Sequence, residues 1–179
     1  QKYMTYRNNI LSNINLYVNQ YRNFNYNSFN VGIEVPDGAR WGNTKDNIVC
    51  SNNSYSTESD QNFTLANYTA QKIGNQNPGL RFQLYAYSTH ADIPSADITI
   101  NEKLDVQLIP AVYQNITSTN GLRNRWYKRT KNISEYNYLN LSGWSGETPG
   151  FYLRDFKNTV QIAKDKNSQG LVWETSPAK

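Results

Sequence analysis

The densest chemistry in the sequence lies at Arg123-Asn124-Arg125-Trp126-Tyr127-Lys128-Arg129-Thr130-Lys131, where five cations surround an adjacent Trp-Tyr pair. Cations beside stacking surfaces can grip a polyanion such as a sulfated or sialylated glycan, a lipid headgroup or single-stranded nucleic acid. Read as a strand, the stretch alternates, with Arg125, Tyr127 and Arg129 on one face and Trp126, Lys128 and Thr130 on the other. Two readings stand side by side. In one, charge protects an edge strand while Trp126 turns into the core. In the other, Trp126, Tyr127, Arg125 and Lys128 meet a ligand, the rings stacking and the cations holding acidic groups.

A second candidate is the loop Leu141-Ser142-Gly143-Trp144-Ser145-Gly146-Glu147-Thr148-Pro149-Gly150, which holds one large ring between glycines. Trp144 there is either a platform for a pyranose or a lid folded over the core. Trp41, between Arg40 and Gly42, poses the same choice, whereas Trp173 lies in an apolar terminal run and reads as core.

Catalytic inventory is poor. The chain has one His (His90) and one Cys (Cys50). Cys50, in Ile48-Val49-Cys50-Ser51, reads as a buried inert thiol. There is no Gly-x-Ser-x-Gly elbow, no phosphate loop and no dinucleotide fingerprint. One His and one Cys do not make a zinc site, and Asp92 to Asp97 is no EF-hand. The expectation is a non-enzymatic chain without metal or cofactor. A small polysaccharide hydrolase remains a second alternative, because it needs only two carboxylates at the right separation.

The bulk composition agrees. Asn numbers 26, Tyr 14 and Trp 4, while charged residues make up only 18% and formal net charge is +4. The charge permits weak attraction to anionic surfaces but is too slight to argue for nucleic acid. AT-rich codon usage accounts for much of the Asn excess, so the aromatic surplus is the firmer signal. No apolar run reaches membrane-spanning length. A start at Gln1 rather than Met reads as a processed or excised chain.

The elements that must position these residues read as strands. Ile14, Leu16 and Val18 alternate with polar residues, as do Val31, Ile33 and Val35 ahead of the turn Pro36-Asp37-Gly38. Further runs cover 63–73, 80–88, 96–100, 104–113, 136–141, 151–163 and 170–174, with a hairpin-like loop at 74–79 and a polar turn at 164–169. Pro110 marks its run as an edge strand or a bulge. Strands at this spacing imply an all-β fold: one antiparallel β-sandwich domain over 1–179, Ig-like or jelly-roll in type, with little helix. Residues 1–29 would be an Asn/Tyr-rich N-terminal strand or arm. The function expected is a surface-binding domain of an exported bacterial protein, adhesin-like or carbohydrate-binding, located outside the cell or on its surface. Its partner would be a glycan or other surface ligand, anionic ones included. The alternative is a structural subunit of a pilus, fibre, virion or matrix, assembling through edge strands.

Overall fold

A computed structural model describes residues 2–22, 29–33, 57–113, 119–140 and 153–175. Along them run α1 (Lys2–Arg22), β1 (Phe29–Gly32), α2 (Glu58–Gly74), β2 (Leu80–Ser88), β3 (Leu104–Tyr113), α3 (Thr119–Arg129), β4 (Ile133–Asn140), α4 (Leu153–Asp165) and β5 (Leu171–Thr175). The strands are parallel and form one sheet in the order β1-β2-β3-β4-β5. This overturns the antiparallel β-sandwich: the fold is mixed α/β. Parallel neighbours need a long return path. Here α2, α3 and α4 each lie on a return path, and turns across 89–103 carry the chain from β2 to β3.

The missed helices have one cause. Asn, Thr and Tyr fill their polar positions, and such residues are up to about 0.7 kcal/mol poorer helix formers than Ala. Burial of one apolar face overrides that preference. In α1, Ile14 and Val18 are buried four residues apart while Leu16 is 59% exposed, which a strand pairing all three could not allow. In α2, the segment read as a strand over 63–73, the buried Phe63, Ala66, Ala70 and Ile73 recur at helical spacing. Its start is capped by Thr57, whose Oγ1 accepts from Asp60 N at 3.1 Å. From Leu153 on, the run read as a strand over 151–163 is likewise α4, and residues 96–100 form a turn and irregular chain rather than a strand. The hairpin-like loop at 74–79 instead joins α2 to β2.

Strand readings at 80–88 and 104–113 coincide with β2 and β3, and those at 136–141 and 170–174 fall largely on β4 and β5. β3 is not an edge, however. It lies third of five, with Val106, Gln107, Leu108 and Ile109 all buried, as a strand covered on both faces must be. The readings at Cys50 and at Pro36-Asp37-Gly38 fall outside the described residues.

Contacts divide the chain into two compact units, residues 1–84 with 94–105 and residues 85–93 with 106–179. In the first, α1 packs on α2, and β1 pairs with β2 in the register Phe29↔Leu80 to Gly32↔Gln83. The segment 94–105 is tied to α2 by polar groups. Asp60 accepts from Ser95 N at 2.6 Å and Ser95 Oγ at 2.9 Å. Asn67 donates to Thr99 O at 2.7 Å and accepts from Asn101 N at 2.9 Å. At the end of α2, a Cβ on Gly74 would lie 2.7 Å from Lys103 Cδ, so a larger residue there would displace the Lys103 side chain. In the second unit β4 lies between β3 and β5, in registers running from Val106↔Ile133 and from Glu135↔Leu171. Among the described residues, no helix is long and apolar enough to cross a membrane.

Candidate ligand-binding face

The basic aromatic stretch is a helix, not a strand, and helical spacing deals its side chains to different places. Trp126 is fully buried in α3, where its indole Nε1 donates to Ala91 O at 2.8 Å. Arg123 is buried too, and forks onto Glu135, which has no exposed surface: Nε donates to both carboxylate oxygens at 3.1 Å and Nη2 to Oε2 at 2.8 Å. A buried carboxylate needs such a partner. Tyr127 is half-buried and its hydroxyl donates to Glu135 Oε1 at 3.4 Å. Burial pushes the Tyr127 phenol up to about 12; a hydrogen bond with Ser168 opposes the rise, and Glu135 adds to it.

Arg125 and Lys128 are exposed, and Arg125 pairs with Asp92 at 3.1 Å. The structure therefore keeps Arg125 and Lys128 on the outside while Trp126 presents no ring face to solvent. Trp144 and Trp41 lie outside the described residues. Trp173 is half-buried rather than core and packs on Phe156 of α4, ring centroids 4.9 Å apart.

Alternation along the strands builds a different candidate. On β2, Leu80, Phe82, Leu84 and Ala86 are buried, so Tyr85 and Tyr87 point to the other face. On β4, Ile133, Glu135 and Asn137 are buried, leaving Ser134, Tyr136 and Tyr138 on the opposite side from the Arg123–Glu135 pair. The register Tyr136↔Val172 and Tyr138↔Glu174 brings Glu174 onto that same side.

The rings meet there. Tyr85 and Tyr136 lie 5.9 Å apart between centroids at 49°, and Tyr136 and Tyr138 lie 5.4 Å apart, edge to face at 76°. The Tyr136 hydroxyl donates to Glu174 Oε2. Its phenol is held well above the ordinary tyrosine value, first by burial, then by the hydrogen bond to Glu174 and by that carboxylate's charge. Tyr136 therefore stays a neutral donor, and fixes the carboxylate through one oxygen.

Tyr85, Tyr87, Tyr138 and Glu174 fall in the later halves of their strands, and Tyr136 stands at the middle of β4. In parallel α/β sheets ligands bind at that end. Just beyond Tyr87, Ser88 has φ 50°, a left-handed backbone rarely taken by non-glycine residues and often found beside binding sites. It turns the chain so that buried His90 sits edge-on to Tyr87, 6.4 Å between centroids.

Composition pointed to aromatics but not to these. The signal was the i, i+2 tyrosine pairs 85/87 and 136/138, set in runs that alternate cleanly. Only the β4–β5 register, invisible in sequence, adds Glu174. Among the described residues no three His, Cys, Asp or Glu converge as metal ligands. No family model matches the chain, and comparison with curated proteins and solved structures finds no match either.

Proposed function

We propose that the chain is a carbohydrate-binding protein and that the tyrosine face of its second unit holds the sugar. The observation that carries this reading is the Tyr85–Tyr136–Tyr138 ring cluster sharing one face of the sheet with the Tyr136–Glu174 pair. Flat rings cover the C–H faces of pyranoses, while phenol hydroxyls and a carboxylate pair with ring hydroxyls. This keeps the class of ligand expected from composition and moves its site from the basic helix to the sheet.

Binding without conversion is the better-supported form of this reading. Glycoside hydrolysis needs two facing carboxyl groups about 5–9.5 Å apart. Among the described residues of this unit, Glu174 is the one carboxylate placed on the tyrosine face, since Glu135 lies on the reverse of β4 in its ion pair.

A glycan array followed by titration calorimetry tests the proposal. The wild type should bind a hydroxyl-rich glycan, and Tyr136→Ala should weaken it about tenfold or more, as loss of a central aromatic contact does. Full-strength binding by a folded Tyr136→Ala protein, or no glycan bound by the wild type, would reject it.

A further inference from the structure

We infer that Glu174 makes this face selective for neutral and amine-bearing sugars over acidic ones. The inference rests on the carbohydrate reading and names the ligand class within it. It also reverses the expectation, drawn from the basic stretch, that the ligand is anionic.

The argument is one of placed charge. Glu174 meets phenols: Tyr136 donates to it, and its register partner is Tyr138. Among the described residues of the unit, those sharing that face, such as Tyr85, Tyr87, Ser134, Tyr136, Tyr138 and Val172, carry no positive charge, and Arg81, earlier on the same side of β2, is paired with Asp105. Two of the cations that the sequence suggested for an acidic ligand have other duties, and Lys128 lies exposed on α3. Arg123 is held by Glu135 on the reverse of β4, and Arg125 by Asp92.

An ionised carboxylate offers about four acceptor positions, of which Tyr136 takes one. The others suit donors, either vicinal sugar hydroxyls or an ammonium group. A uronate or sialate carboxylate brought to the same place offers no proton and adds a like charge in partly desolvated surroundings. The net charge of +4 acts at longer range and is screened by salt, so it does not reverse the local preference.

The test uses the whole chain and three probe sets by titration calorimetry: neutral oligosaccharides, the same with de-acetylated amino sugars, and uronic-acid or sialylated oligosaccharides. Wild type should bind the acidic set at least tenfold more weakly than the neutral set, and the amino-sugar set at least as tightly. Glu174→Gln keeps the shape and an oxygen for the Tyr136 hydroxyl, and should narrow the acidic-to-neutral gap at least threefold.

A second readout needs no variant. Raising salt from about 0.02 to about 0.5 M should narrow the same gap in wild type, because repulsion is screened while stacking is not. Equal affinity for acidic and neutral sets would overturn the inference while leaving the carbohydrate reading intact, as would a gap insensitive to both salt and Glu174→Gln. Failure of all three sets to bind would instead remove the carbohydrate reading itself.

Discussion

Two tyrosine–glutamate pairs lie on opposite faces of β4, and they do different work. On one face Tyr127 donates to Glu135, which has no exposed surface and is gripped by the fork of Arg123. On the other Tyr136 donates to Glu174, which is half-buried and pairs in register with Tyr138, and among the described residues no ion pair holds it. The chemistry is the same, but the burial and the counterion differ. A carboxylate removed wholly from water is tolerable only when paired, so Glu135 is committed to the fold. A half-exposed carboxylate keeps acceptor capacity for something outside the protein. Sequence proximity to charge is thus a poor guide to burial here: the cation-rich helix holds the structural pair, and the face proposed to bind is the one where Glu174 meets phenols.

Breaking the buried pair gives the largest effect expected. Arg123→Met leaves the fully buried Glu135 carboxyl without its partner and should cost about 3–5 kcal/mol in urea unfolding. Glu174→Gln should cost no more than about 1 kcal/mol by the same measurement. Similar costs for the two variants would show that the faces are not distinct in the way described.

Next comes Trp126→Phe. It strips the donor from Ala91 O and shrinks a fully buried side chain, so a loss of about 2 kcal/mol is expected. Glycan affinity of the folded variant should stay within about twofold of wild type, because a ring with no exposed surface cannot stack on a ligand. A large affinity loss at unchanged stability would return Trp126 to the site.

These two variants also mark how far the sequence could be read. The strict alternation of Leu80, Phe82, Leu84 and Ala86 exposed β2 at its true bounds, because a half-buried strand prints its period directly. Ile14, Leu16 and Val18 printed the same period in α1, where Ile14 and Val18 alone face inward. With Asn at so many positions, polar residues interrupt apolar ones at every spacing, and the two periods cannot be told apart. Once α2 and α4 are taken for strands, no crossovers remain, and a parallel sheet is misread as an antiparallel one. The same error reassigned the basic stretch. A two-residue period grouped Trp126 with Lys128, whereas the helical period groups it with Leu122 and Arg123, all three buried. Tyr136 and Tyr138 were visible as an alternating pair, but Glu174 joined them through register alone.

Alkaline pH offers a smaller, graded comparison of the two phenols. Tyr127 ionises near 10 in the unfolded chain and only at about 12 when folded. Between those values the folded state keeps a proton that the unfolded state has lost, so stability falls as pH rises from about 10 to about 12. Below 10 both states are protonated and the contribution is fully present. Tyr136 shifts in the same direction and adds to the fall. Solvent around both half-buried rings keeps the slope shallow. Tyr127→Phe and Tyr136→Phe should each flatten the decline, and the double variant most, in unfolding midpoints taken across that range. If only Tyr127→Phe does so, Tyr136 is more open to water than its contacts imply.

The smallest effect should come from the one basic-helix contact that resembles a surface interaction. Arg125 and Asp92 are each about half exposed and lie 3.1 Å apart. Exposed pairs of this kind return little, since water solvates both ions well and two long side chains must be held in one geometry. Arg125→Ala should therefore change unfolding free energy by no more than about 0.5 kcal/mol, and less still in high salt. It should also leave the preference among glycans unmoved, because this charge lies on α3 rather than on the tyrosine face. Acidic glycans losing affinity in Arg125→Ala while neutral ones do not would restore the basic helix as the anion-binding surface, and Glu174 would then lose its place as the selecting group.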